Sequence, residues 1–166
     1  MDSGGLAVSA QSLILKLEKL LGLNHKLYQL AQTKTEALKT EDLTVLQQTL
    51  KQEQIYIQAI KQVENERIAL ASAYLNREDD LTLSACIEKA EPADKEKFSL
   101  LLQSLTEVME QLKNANKLNQ QLTIQALQFV SISMDMLMPK EQSPAYKPPG
   151  GSASAPKRRS LFDSKA

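Results

Sequence analysis

The sequence predicts an all-α protein, and three observations indicate that fold class. From Leu23 to Met138 there is no glycine, and Pro92 is the single proline in that stretch. Sheet proteins need turn residues every strand or two, so this spacing argues against β and α/β folds. Leucines recur at alternating spacings of three and four, which is typical of helical heptads. Aromatic residues make up 4% of the chain, so we expect a core with little buried area. The predicted architecture is an elongated antiparallel bundle, or coiled coil, of three long helices and one short helix.

The first helix is predicted to begin near Ser9 to Gln11, after a disordered start over residues 1–10. Gly22 lies inside it, and glycine costs about 1 kcal/mol relative to alanine within a helix. The run from Lys39 to Asp42 predicts a tight junction in which Thr40 caps the next helix. The heptad seam of the first helix comprises Leu13, Leu17, Leu20, Asn24, Leu27, Ala31, Lys34 and Leu38.

The second helix is predicted from about Asp42 to Leu75. A charged break over residues 76–80 follows, and Thr82 or Ser84 then caps a short helix from Ala85 to Lys89. The apolar stripe of the second helix comprises Leu43, Leu46, Leu50, Ile57, Ile60, Val63, Leu70 and Tyr74.

The third long helix is predicted to begin at Pro92, since proline suits a first helical turn, and to end at Met138 before Pro139. The helical domain would thus cover residues 11–138, and residues 139–166 form a disordered, basic tail rich in Pro, Ser and Gly. Two asparagines interrupt the stripe of this helix. They either bond to the backbone of a partner or set helix register in the core. The stripe comprises Phe98, Leu101, Leu102, Leu105, Val108, Met109, Leu112, Asn116, Asn119, Leu122, Ala126 and Val130.

The end of the third helix is the predicted binding surface. At 1.5 Å per residue this helix is roughly 20 Å longer than the second, so it would overrun its neighbour near Ala126 to Met138. Apolar residues there cover an arc of roughly 280°, whereas one packing face needs little more than about 100°. The alternative is that the segment folds back or that the first helix wraps it. The predicted partner-binding residues are Asn119, Leu122, Ile124, Leu127, Phe129, Val130, Ile132, Met134 and Leu137.

Composition argues against several function classes. Residues 139–166 carry six basic and two acidic side chains, so the remaining chain has a net charge of −4 within a neutral total. An acidic body is a poor nucleic-acid binder. The chain has one histidine, His25, and one cysteine, Cys86, so no metal or cofactor site and no nucleophile–base pair is predicted, and we expect no enzyme. No apolar run has the length of a membrane span and no signal peptide is recognised, so a cytoplasmic protein is expected.

Several segments together resemble the FlgN family of flagellar export chaperones. The first is LGLNHKLYQLA, residues 21–31, a leucine-rich helix that contains a histidine. The order and spacing of the segments over about Leu13 to Leu137 carry the resemblance. The further segments are Lys34, Ala37-Leu38, Glu41-Asp42, Glu53-Gln54, Glu64, Arg67, Thr82-Leu83-Ser84, Asn116, Asn119, Gln120-Gln121-Leu122 and Leu127-Gln128-Phe129-Val130.

The resemblance implies a chaperone of the hook–filament junction proteins FlgK and FlgL. Such a chaperone binds the C-terminal helical segments of its clients, keeps them unassembled and delivers them to the flagellar type III export apparatus. The resemblance also implies that the C-terminal part of the chaperone binds the client. The alternative function is a structural coiled-coil adaptor that self-associates through its C-terminal helix.

Overall fold

The computed structural model describes residues 9–137, and all of its regular structure there is α-helical. The helices are α1 (Ala10–Thr40), α2 (Leu43–Leu75), α3 (Leu83–Lys89) and α4 (Pro92–Leu137). The predicted all-α class of three long helices and one short helix is confirmed. The predicted disordered start and basic tail lie outside the described residues, except that Ser9 caps α1 and Ala10 already belongs to it. The chain divides into two compact units, Met1–Ala126 and Leu127–Ala166, which we describe separately.

The junction between α1 and α2 differs from its prediction. Glu41 adopts a left-handed conformation with φ 57° and ends α1. Asp42, not Thr40, caps α2, because its carboxylate accepts from the Val45 main-chain N–H at 3.1 Å. The Thr40 hydroxyl instead donates to a carbonyl one turn back in α1, a local bond that threonine makes readily within a helix.

In the first unit, α1 and α2 are antiparallel. Lys16, near the start of α1, pairs with Glu66 in the second half of α2. Lys34, near the end of α1, pairs at 3.4 Å with Glu53 in the first half of α2. Because the earlier residue of α1 pairs with the later residue of α2, the two helices run in opposite directions.

α4 runs parallel to α1 within the first unit. Leu101 lines the same shallow depression as Ile14, and Asn119, further along α4, bonds to Ala31 further along α1. In each case the α4 residue follows its α1 partner by nearly the same number of positions, so the two helices run in the same direction. The short α3 and its flanking loops connect α2 to α4 and allow this parallel return.

The core of the first unit is unevenly built. Its large apolar cluster comprises Leu13, Ile14, Leu17, Leu20, Val63, Ala71, Cys86, Ala90, Phe98, Leu101 and Leu105. Val108 and Leu112 of α4 continue the apolar packing beyond this cluster. Nearer the α1–α2 junction most buried side chains are small or polar, namely Asn24, Ala31, Thr35, Ala37, Thr49 and Asn119. Large apolar side chains on the same stretch of α2, including Leu43, are exposed. One end of this unit is therefore stabilised by packing of large apolar side chains, and the other by small and polar buried side chains.

The predicted stripes are correct where the large cluster lies and only partly correct beyond it, where Ala31, Val108 and Leu112 are buried as predicted. On α1 the buried residues after Ala31 are Thr35 and Ala37, whereas the predicted residues Lys34 and Leu38 are half-buried. A straight helix repeats every 3.6 residues, so its buried face drifts from a strict heptad seam. On α2 the predicted Leu43 and Leu50 are exposed, and on α4 Met109 and Asn116 are exposed.

Arg67 fixes the loop between α2 and α3. Its guanidinium makes two hydrogen bonds to the Glu64 carboxylate, at 2.8 and 2.7 Å, and donates to the Leu81 carbonyl at 2.8 Å. The bonded carboxylate raises the pKa of Arg67 above its usual value. Thr82, one of the two predicted caps, starts α3 by accepting from the Ala85 N–H.

Candidate functional site

The last turns of α4, residues 127–137, present an exposed apolar surface. Their large apolar side chains are Leu127, Phe129, Val130, Ile132, Met134, Met136 and Leu137. The exposed fraction of these side chains ranges from 48% at Leu127 to 83% at Leu137. Contiguous apolar surface of this extent normally marks an interaction site. We call residues 127–137 the terminal segment.

The terminal segment is nearly uncharged, since Asp135 is its single ionisable side chain. Successive helical residues are rotated by about 100°, so Gln128, Ser131 and Asp135 lie on one side of the helix. We call these three residues the polar strip. The rest of the circumference is apolar except for Ser133, which is half-buried.

Seven of the nine predicted partner-binding residues are exposed. They are Ile124, Leu127, Phe129, Val130, Ile132, Met134 and Leu137. Leu122 is half-buried, and Asn119 is buried with 3% of its surface exposed. The structure therefore gathers the predicted residues from Ile124 onward into one exposed stretch and separates Asn119 from them.

Asn119 is engaged inside the first unit. Its side-chain amide donates to the Ala31 carbonyl at 3.0 Å, and its side-chain oxygen accepts from the Thr35 hydroxyl at 2.5 Å. Of the two interpretations of this asparagine, core register and partner binding, these contacts match the first. Residues 9–137 hold no buried side-chain polar atom without a partner.

Thr35 is the residue that the sequence interpretation missed. The heptad seam steps three residues from Ala31 and therefore places Lys34 in the core. A helix with 3.6 residues per turn also brings the residue four positions after Ala31 to the same face, and that residue is Thr35. A groove between α1 and α2 was not predicted from the sequence either. It is lined by Leu30, Ile55 and Tyr56 together with Lys26, Gln29, Thr33 and Gln52. Ile55 is largely exposed there.

The reactive side chains of the first unit lie in structural surroundings. Burial raises the pKa of the Cys86 thiol above its ordinary value, which keeps the thiol protonated. Burial likewise raises the pKa of Tyr74, whose ring lies 6.1 Å from that of Phe98. Among residues 9–137, no three His, Cys, Asp or Glu side chains are grouped as metal ligands would be. None of the four described helices combines the length and the hydropathy of a membrane-crossing segment.

Comparison with known families gives the context of this surface. The family model described as "FlgN protein" matches residues 1–154, which is most of the chain. The chain belongs to the FlgN family. FlgN-family proteins are flagellar export chaperones and not enzymes, and their partners are flagellar proteins.

A relative with 45% identity comes from Bacillus subtilis (strain 168), where it bears the name "Uncharacterized protein YvyG". The match spans 161 residues, 96% of this chain and 100% of the relative. No solved structure matches the chain. The match to the family model thus covers the first compact unit and also the terminal segment.

Proposed function

We propose that this FlgN-family protein is a cytoplasmic export chaperone for the hook-associated proteins FlgK and FlgL. It binds the C-terminal helical segments of these clients through the terminal segment. Binding prevents premature assembly, and the complex delivers the client to the flagellar type III export apparatus.

One observation carries the proposal: the terminal segment exposes seven large apolar side chains on a regular helix. A client helix with an apolar face buries that face against such a surface, as in other helix-recognition modes. Methionines such as Met134 and Met136 adapt their flexible side chains to differently shaped partners. One chaperone surface can therefore accept two related clients.

The low charge of the terminal segment suits reversible capture. Only Asp135 is charged, so binding depends mainly on apolar burial and little on ionic strength. A client segment that folds on binding loses conformational entropy, which lowers the net affinity and eases release at the export apparatus. Apolar burial and helix formation suffice for this cycle, and no nucleotide is needed.

The proposal is tested by placing charges on the apolar surface. Val130→Asp combined with Met134→Asp is expected to abolish binding of purified FlgK and FlgL in titration calorimetry. Gln128→Asp combined with Ser131→Asp adds the same charge on the polar strip, and this control is expected to bind normally. Circular dichroism verifies that both variants keep their helicity. Normal client binding by the folded Val130/Met134 variant would refute the assignment.

The same surface also suits the second candidate, a coiled-coil adaptor that self-associates, because its apolar residues have heptad spacing. Light scattering separates the two functions. The chaperone is expected to form a complex with its client in place of any self-associated form. A stable oligomer that persists when the client is added favours the adaptor.

A further inference from the structure

The terminal segment has two apolar faces, and we propose that the client covers them with two separate helical segments. This inference rests on the proposed function and specifies the form of its partner. Face A comprises Leu127, Val130, Met134 and Leu137, and face B comprises Phe129, Ile132 and Met136. Every one of these side chains is exposed.

The two faces point in different directions. At about 100° per residue, face A covers an arc of roughly 80° and face B an arc of roughly 60°, with centres roughly 150° apart. Both have the alternating spacing of three and four residues that packs against one helix. The polar strip occupies the wider interval between the faces, and Ser133 lies in the narrower one.

A single partner helix does not cover both faces. One packing face spans little more than about 100°, whereas the two faces together span more than twice that arc. A helix laid over Ser133, between the faces, would leave Leu127, Met134 and Ile132 in water. Those are large apolar side chains, so leaving them exposed would forfeit much of the available binding energy.

The earlier part of α4 needs one apolar seam to pack against the rest of the first unit. There, a single seam including Phe98, Leu105 and Leu112 is buried against the rest of the first unit. Gln103, Glu107 and Glu110 are exposed and lie on the other side of the helix. Face A continues the spacing of that buried seam. On the side of face B the earlier part of α4 carries isolated exposed leucines, Leu100 and Leu118, whereas only the terminal segment has a face of three residues there. The additional face indicates an additional neighbour.

The geometry also constrains the client. Two helices packed about 10 Å from the α4 axis and roughly 150° apart lie about 19 Å from each other. That is about twice the spacing of a packed pair, so the two client helices contact α4 and not one another. An extended linker needs at least about six residues to join their near ends. The client therefore wraps α4 instead of docking as a preformed helical pair.

The test compares one variant on each face. Val130→Gln with Met134→Gln changes face A, and Phe129→Gln with Ile132→Gln changes face B. Ser131→Gln on the polar strip is the matched control. Affinity for purified full-length FlgK and FlgL is measured by titration calorimetry. Each face variant is expected to bind at least roughly tenfold more weakly, and the control to bind as the parent does.

The outcomes separate the inference from the proposed function. Weaker binding by one face variant alone overturns the two-segment inference and leaves the proposed function standing. Unchanged binding by both variants refutes the two together. If light scattering shows that a face variant turns a dimer into a monomer without changing client affinity, that face takes a second copy and the inference is wrong.

A second measurement uses the unmodified chaperone and therefore does not depend on the folding of any variant. Hydrogen exchange of the client, bound to the unmodified chaperone, is expected to reveal two protected segments separated by an unprotected linker. One continuous protected segment would overturn the inference.

Discussion

Asn119 on α4 donates from its side-chain amide to the main-chain carbonyl of Ala31 on α1, at 3.0 Å. Because Ala31 has a small side chain, the amide can reach the backbone. The Thr35 hydroxyl completes the arrangement by bonding to the Asn119 side-chain oxygen. A buried asparagine with such specific partners favours one register of α4 along α1 over its alternatives.

Replacing Asn119 is expected to destabilise the first unit. Asn119→Ala removes both contacts, leaves the buried Thr35 hydroxyl with fewer partners and lowers the free energy of unfolding by about 1–3 kcal/mol. Asn116→Ala is the control, since Asn116 is exposed one turn earlier on α4. It should change the free energy of unfolding by less than about 0.5 kcal/mol. Urea denaturation measures both, and equal effects would contradict the packing role of Asn119.

The two phenylalanines of α4 are expected to behave oppositely. Phe98 is fully buried, so Phe98→Ala should lower the free energy of unfolding by about 3–5 kcal/mol through cavity formation. Phe129 is 65% exposed, so Phe129→Ala should leave thermal unfolding nearly unchanged while weakening client binding. Calorimetry of the free protein and of its complexes gives both values. A large loss of stability in the Phe129 variant would show that its ring is packed within the free chain.

Gly22→Ala is expected to stabilise the protein. Gly22 lies inside α1, and a methyl group added there meets no atom within 4 Å. The substitution removes backbone entropy from the unfolded chain and should raise the free energy of unfolding by about 0.5–1 kcal/mol. Chemical denaturation measures the change. A lower stability would mean that the glycine serves close packing.

The ion pair between Lys16 and Glu66 predicts a pH dependence. The hydrogen bond from Lys16 lowers the pKa of Glu66 below its ordinary value of 4.5. A carboxylate with a lowered folded-state pKa stabilises the fold above its unfolded pKa. That contribution disappears as the pH falls through the folded value.

Lys16→Met should therefore reduce the loss of stability between about pH 7 and about pH 3. Lys61→Met, at an exposed position of α2, should leave that loss unchanged. Urea midpoints at the two pH values check both variants. A loss of the same size in the Lys16 variant would show that the pair contributes no pH-dependent stability.

The helix boundaries could be predicted from the sequence because their signals are local. Pro92 begins α4, Thr82 caps α3, and the break after Leu75 is visible in the charged residues that follow. The cap of α2 was misassigned because Thr40 and Asp42 both carry capping side chains. The choice between them depended on the left-handed turn at Glu41.

Core membership was predictable mainly where large side chains decide it. Phe98 and Leu105 were placed correctly because burying them releases the most water from apolar surface. Near Ala31 and Thr35, small residues bring the helices together and polar bonds select the register. Hydrophobicity alone therefore misplaced Leu43 in the core.

The candidate site was predictable for a related reason. Residues that are apolar around most of a helix cannot all face one neighbour, whatever the fold. The exposure of Leu127 and Phe129 could therefore be predicted from the sequence. The burial of Asn119 could not, because the partners of a buried amide are remote in sequence.

The uneven core also has a consequence for synthesis on the ribosome. The large apolar cluster draws its members from Leu13 to Leu105, and every one of them is translated before Leu127. The nascent chain therefore holds all the side chains of this cluster before any of the terminal segment is synthesised. The cluster can therefore begin to collapse before the exposed apolar residues of the terminal segment have left the ribosome.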